Sequence, residues 1–287
     1  MKILLNPESL PFVSAFTQRS ARARAILNRL IKRSLRTQPP KSFPIVKTTV
    51  LAICCYMADR PNLARELVQS VEEAKLTRID LVVTNNTEAL SCEAISPYIK
   101  YNMPKTRKYQ AVARIIEDQF KPSHEYVIVI DDDVSLPKDF FDYYFRIVKG
   151  LRLILSQPAL EKGSFGAFPC NRKIDNAIAH LTSFVETGPV TCFERRLIDI
   201  VPFTEGSPMG WGLDFVWSRM CRDNRWIMGV VDCTPVEHRI RGVATRYSAE
   251  KEFHLMRQYL SKKKHVPICA AEVIGQIIFL KDYPSLS

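Results

Sequence analysis

No acidic residue occurs between Ser9 and Ala58, a stretch that carries Arg19, Arg22, Arg24, Arg29, Lys32, Arg33, Arg36, Lys41 and Lys47. The chain of 287 residues is formally +11, so those nine cations leave only two for everything else. Basicity confined to one segment points to an anionic surface met by that segment, not to a generally basic protein. Long apolar runs are missing as well. VLAICCYMA and VIGQIIFL are the longest, well short of the roughly 20 residues that span a bilayer. MKILLNPESLPF is interrupted by Asn, Pro and Glu, which excludes a secretory h-region. The eight cysteines form no CxxC pair and no Cys/His zinc spacing; they are expected to be reduced, buried small hydrophobes of a cytoplasmic protein, soluble or peripheral to a membrane. No GxGxxG follows the first strand pattern and no Walker sequence is present, so the dinucleotide-binding and P-loop readings lose their support. No internal repeat or low-complexity tract interrupts the chain.

What is present begins with helical spacing of Ile26, Leu27, Leu30, Ile31 and Leu35 among the basic residues, which predicts a basic amphipathic helix within an arm over 1–41. From Val46 the pattern changes. VKTTVLAICCYM, RIDLVVT and YVIVI read as buried strands; RPNLARELVQSVEEA and KYQAVARIIEDQF read as the helices between them, the first with Asp59 as a plausible N-cap. Strand, helix, strand, helix, strand without hairpin turns predicts an α/β fold with a mostly parallel sheet covered on both faces. PKDFFDYYFRIVKGLRLIL predicts another helix, GAFPC, PVTCF and IMGVVDC further strands, and the last residues a basic helical tail. The expected organisation is an arm over 1–41, a main domain over 42–250 (42–135 and 136–250 as its halves) and a helical tail over 251–287.

YVIVIDDDVSLP sets three carboxylates at the end of a buried strand. Ligands of open α/β sheets bind at such ends, and three adjacent charges repel unless neutralised. A divalent cation removes the conflict, and Mg²⁺ or Mn²⁺ is usually held by one or two carboxylates plus the phosphates of a substrate. Helix capping by the same Asp residues is the plainer alternative. In SPMGWGLDFVW, Gly210 and Gly212 let the backbone turn about Trp211 and set Asp214 at a helix start, either as a general base or as an ordinary cap beside a core Trp. In VVDCTPVEHRIRG, His238 follows a strand; one neutral imidazole completes a site that has two carboxylates.

The ordered set of YMADRPNL, IDDDVSLP, MGWGLDF and a late strand ending in His resembles the nucleotide-sugar-dependent GT-A fold glycosyltransferases, over roughly Val46 to Tyr247. The resemblance implies a GT-A-like (Rossmann-like) α/β fold of inverting type. By that likeness Asp133 and His238 bind Mn²⁺ or Mg²⁺ with Asp131 beside them, and Tyr56, Arg60, Asn85, Arg107, Lys108, Asp131 and Asp132 contact the donor, a UDP-sugar being favoured. Asp214 is then the base, and Trp211, Gly212 and Glu186 meet the acceptor. Asn85 and Asn86 stand where many relatives have Asp, and KTRKYQ is more basic than usual.

The implied reaction is transfer of a sugar from a nucleotide-sugar to an acceptor hydroxyl with inversion. A glycan or lipid-linked saccharide on an anionic membrane suits the arm, as does DNA with hydroxymethylated bases, whose phosphates would pair with it. Two other classes stay open: a metal-dependent nucleotidyltransferase, which has no need of GWGLD, and a catalytically silent nucleic-acid-binding module, which leaves the triplet idle.

Overall fold

The computed structural model describes Phe43, Ile45 and residues 47–279 apart from 208, 243–246, 268–270 and 272, with 273–279 described by backbone alone. The basic arm over 1–41 and the last residues from 280 onward lie outside the described residues.

The chain alternates strands and helices as its hydrophobic patterning predicts. β1 (Thr48–Tyr56) and β4 (Tyr126–Asp131) are nearly continuous apolar runs, the pattern of strands buried on both faces, and β2 (Thr77–Asn85) is mixed at its start and buried from Leu81 onward. α1 (Ala64–Glu72) and α2 (Lys108–Gln119) cross between them, with the short β3 (Ile99–Asn102) at the edge. β1 pairs in parallel with β2 on one side and β4 on the other. Successive residues of β1 face opposite layers: Val50, Ala52 and Cys54 pack toward α3 (Phe140–Leu151), and Leu51 and Ile53 toward α2. A long buried aromatic group on α3, Phe140, Phe141, Tyr144 and Phe145, closes the first layer.

Among the described residues, one sheet of nine strands runs in the order β3-β2-β1-β4-β7-β5-β8-β6-β9. Its second half consists of β5 (Leu155–Leu160), β6 (Ala177–Thr182), β7 (Val190–Glu194), β8 (Met228–Val236) and β9 (Val273–Phe279). β7 enters antiparallel between β4 and β5, whereas β5 and β8 are parallel. α4 (Arg195–Ile198), α5 (Leu213–Asp223) and α6 (Ala249–Leu260) are the further helices among the described residues. α5 lays Leu213 and Trp217 into the second layer and turns Phe215 and Val216 toward Met256 and Leu260 of α6.

Three expectations are corrected. GAFPC contributes a single 3₁₀ turn, Pro169–Asn171, in place of a strand, because Pro169 has no N–H for a ladder. The tail expected to be helical over 251–287 carries α6 and then β9, which pairs antiparallel with β6. Asp59 does not cap α1; its N-cap position is Leu63, and Asn62 Oδ1 accepts the Ala64 N–H at 3.3 Å.

Candidate active site

Chain order places β1 between β2 and β4, with α1 leaving one way and the return to β4 arriving from the other. That is the switch point at which open α/β sheets bind ligands. Register sets Tyr56 beside Asn85 and Cys55 beside Asp131, so the carboxyl ends of three strands converge.

The three carboxylates have three different surroundings. Asp131 Oδ1 pairs with Lys108 Nζ at 2.7 Å, and the same ammonium reaches the carbonyl of Gly188 at 3.0 Å. Burial works against the Lys108 charge, but Asp131 outweighs it and holds the ammonium above its usual range. Asp132 is 1% exposed and ties β4 to the β1–α1 loop: its Oδ2 accepts the Met57 N–H at 2.8 Å and its carbonyl accepts the Leu63 N–H. Its Oδ1 pairs with Arg241. Burial pushes Asp132 up to about 7 against the pull of that guanidinium. Asp133 is buried too, with Arg241 Nε at 2.8 Å and His238 Nε2 at 3.3 Å from its Oδ2. There burial loses to the two cationic partners, and the carboxyl titrates well below its usual range.

His238 reaches Asp133 because the chain leaving β8 makes a two-way backbone bridge, Ser135 with Glu237, at 2.9 and 3.1 Å. The imidazole Nδ1 faces the carbonyl of Phe165 at 3.4 Å. A carbonyl and a carboxylate both only accept, so the charged ring satisfies both, with Nδ1–H toward Phe165 and Nε2–H toward Asp133. Burial works to lower the His238 pKa, but the Asp133 carboxylate holds it above the ordinary value.

Across the site, Gly210 (φ +84°) and Gly212 (φ +98°) are both left-handed. A Cβ on Gly210 would stand 2.4 Å from the ring of Tyr109, so the turn admits only glycine there. The turn delivers Asp214 into the first turn of α5, where it is buried. Its Oδ2 faces the N–H and hydroxyl of Thr187, each at 3.4 Å, and its Oδ1 accepts the Phe215 N–H at 3.0 Å. Burial, with the nearby Glu186 carboxylate, pushes Asp214 up to about 7. Glu186 is raised by burial as well; Asn171 Nδ2 donates to it at 2.9 Å. Lys108 Nζ is also 3.5 Å from the Thr187 carbonyl, so the Asp131 and Asp214 surroundings share one connecting segment, Thr187–Gly188.

The remaining expected residues fall unevenly. Trp211 is half-buried, its indole edge-on to Tyr247 at 6.2 Å. Gly212 lies under Met256 and Tyr259 of α6 and faces no open space. Arg107 precedes α2 and donates to Met209 Sδ at 3.3 Å; Arg60 is exposed in the β1–α1 loop and Tyr56 is buried. Asn85 is consumed internally, donating to the Ala89 carbonyl at 2.9 Å and accepting from the Thr87 N–H and hydroxyl. Asn86 differs: its Nδ2 donates to the Thr106 carbonyl at 3.0 Å, and its buried Oδ1 has no partner among the described residues. Sequence reasoning missed Arg241 altogether. The only signal was its place three residues after His238 in HRIR.

Two ligands about 2.1 Å from one divalent ion lie about 3 Å apart, which the 3.3 Å between Asp133 and His238 matches. This carboxylate and imidazole are close enough to hold one hard divalent cation between them. Among the described residues no three His, Cys, Asp or Glu side chains converge on one ion position; Asp131, expected alongside these two, is engaged by Lys108.

No family model matches the chain, and no curated protein matches it in sequence. Among solved structures it is similar to GalNAc-T7, determined with UDP, GalNAc and Mn²⁺, at 15% identity and TM-score 0.48 over 67% of this chain and 44% of that one. It is also similar to S. aureus TarS, at 10% identity and TM-score 0.49 over 75% of this chain and 39% of that one. A third is the mannosyltransferase PcManGT from Pyrobaculum calidifontis, in complex with GDP-Man and Mn²⁺, at 13% identity and TM-score 0.47 over 85% of this chain and 73% of that one. The chain spans less than half the length of the first two.

Proposed function

We propose that this chain is a metal-dependent glycosyltransferase of GT-A type that moves a sugar from a nucleotide-sugar, a UDP-sugar in first place, to an acceptor hydroxyl with inversion. The observation that carries the reading is the pairing of two acidic centres. One is a carboxylate–imidazole couple at the carboxyl end of the central strand; the other is the Asp214 carboxyl at the start of α5, which burial and Glu186 push up to about 7. A general base works best with a pKa near the operating pH. The first centre suits a diphosphate and the second an attacking hydroxyl.

Asp133 and His238 would hold the divalent cation, which supplies positive charge against the diphosphate as the glycosidic bond breaks. Asn86 Oδ1 offers an acceptor to a base N–H. Asp214 takes the proton of the acceptor hydroxyl as its oxygen bonds to the anomeric carbon, on the face opposite the departing nucleoside diphosphate. Thr187 donates to the same carboxylate and aims it. The half-buried Trp211 presents an indole face, which suits a glycan or lipid-linked saccharide acceptor.

Thermal unfolding in the presence of Mn²⁺ and a series of nucleotide-sugars tests the reading. A donor at 100 times its Kd stabilises the folded state by about 2.7 kcal/mol, so one nucleotide class is expected to raise Tm, and only with the ion. Absence of stabilisation by every nucleotide-sugar overturns the proposal. Release of pyrophosphate in place of nucleoside diphosphate assigns the chain to the nucleotidyltransferases instead.

A further inference from the structure

Arg241 is the residue that the functional reading does not use, and its position is unusual. Its guanidinium spans two adjacent buried carboxylates, Nε on Asp133 at 2.8 Å and Nη2 on Asp132. It arrives there from a chain position 108 residues away. The carboxylate oxygen it takes on Asp133, Oδ2, is the one that His238 Nε2 faces at 3.3 Å. The oxygen a divalent ion would share with the imidazole is therefore already held by a side-chain cation. The third nitrogen of the fork, Nη1, is buried and has no hydrogen-bond partner among the described residues. A buried donor left unpaired is unfavourable, and an anion with spare lone pairs is the partner a guanidinium takes in bidentate fashion.

We propose that Arg241 is a resident cation that competes with the metal for Asp133 and is released to the diphosphate when metal and nucleotide arrive together. The proposal rests on the glycosyltransferase reading and adds to it the order of binding. Without ligand, Asp132 and Asp133 face two cationic partners, the Arg241 guanidinium and the His238 imidazole, and need no ion. A free divalent ion must then displace a guanidinium held by both carboxylates, so it binds weakly. A metal-bound diphosphate brings both the replacement for Arg241 on Asp133 and a new acceptor for the freed guanidinium. Metal and nucleotide thus bind as one unit. A purely structural pin predicts the opposite: its loss would loosen the site and weaken the ion.

Isothermal titration of MnCl₂ into the full chain and into Arg241→Gln, each with and without UDP, separates these. The wild type is expected to take up Mn²⁺ at least tenfold more tightly when UDP is present. Arg241→Gln is expected to bind Mn²⁺ alone at least tenfold more tightly than the wild type does, and to lose most of the enhancement by UDP. Arg241→Lys keeps a charge but loses the fork and should fall between them; it carries the test if the Gln variant does not fold. Metal affinity in Arg241→Gln, or in Arg241→Lys if that variant stands in, that is no higher than in the wild type, while the wild type still binds Mn²⁺ with UDP, overturns the role of Arg241 and leaves the glycosyltransferase reading intact. Absence of Mn²⁺ uptake by any of the proteins, with or without UDP, overturns both.

Discussion

Asp214 carries the heaviest chemical assignment of any single residue, and its surroundings make that assignment measurable. Its carboxyl sits at the start of α5, where the helix dipole favours the anion, yet burial and Glu186 lift it to about 7. If it is the base, turnover requires the deprotonated form. The rate should then fall about tenfold per pH unit below pH 7 and level off above it. Asp214→Asn should lower kcat by about 10² to 10⁴ while leaving donor affinity within a few fold, because the amide keeps the shape and loses only the proton acceptor. A pH–rate profile flat from pH 5 to 8, or a turning-over Asn variant, removes Asp214 from the role. GWGLD made the placement of Asp214 at a helix start legible in the sequence, since two glycines mark the turn that precedes it. Asp133 and His238 were legible for a similar reason, each following the end of an apolar strand. Arg241 was not, because its partners lie more than a hundred residues away and nothing local to HRIRG marks the encounter. Asn85 misled, since its place at the strand end says nothing of the Thr87 and Ala89 contacts that consume it.

At the scale of elements, legibility follows periodicity. β1, β2, β4 and the helices between them are long and regularly patterned, and each appears where its apolar residues fall. β5 and β6 do not announce themselves. LSQPAL holds Pro158 inside a strand flanked on both sides, where the register slips between Pro158 and Leu160. AIAHLT hides His180, a polar residue in a fully buried strand. What makes β6 viable is on β8: His180 Nδ1 meets Asp232 Oδ2 at 2.7 Å, and its Nε2 meets the Cys170 carbonyl at 2.8 Å. Asp232 Oδ1 in turn accepts the Ile174 N–H at 2.8 Å. Each buried polar atom of this tie is satisfied, which marks it as an architectural pin between β6 and β8. His180→Ala leaves Asp232 Oδ2 without its partner in a dry interior and should cost about 3 kcal/mol. Urea unfolding monitored by circular dichroism reads that loss directly. A variant within about 0.5 kcal/mol of wild type, the ordinary range for a surface change, would show that the tie contributes little.

For the molecule as a whole, the site and the fold pull in opposite directions as pH changes. Asp132 and Asp214 are both pushed up to about 7 by burial, so each binds its proton more tightly folded than unfolded. A carboxyl raised in this way contributes stability that is complete below its ordinary value near 4 and is lost as pH climbs through 7. Glu186 is shifted in the same direction by burial, and His238 is held up by Asp133. His238 thus adds stability present below its ordinary value near 6.5 and lost above its folded value. Asp133 is the counterweight, but its lowered pKa acts in the acid range, where its contribution disappears as pH falls below about 4. Between pH 5 and 8 every site group therefore has the same sign, and the ligand-free protein should lose stability with rising pH, by up to about 1.4 kcal/mol per pH unit for each fully shifted proton. The pH that ionises the proposed base is thus the pH at which the empty site strains the fold, a common cost of function. Urea unfolding at pH 5, 6, 7 and 8 without ligand should show midpoints falling steadily, and Asp214→Asn should flatten the slope, since an amide carries no proton to lose. A wild-type midpoint constant or rising over that range would mean that these carboxyls are not held protonated by the fold, and Asp214 would then be too weak a base at neutral pH for the chemistry assigned to it.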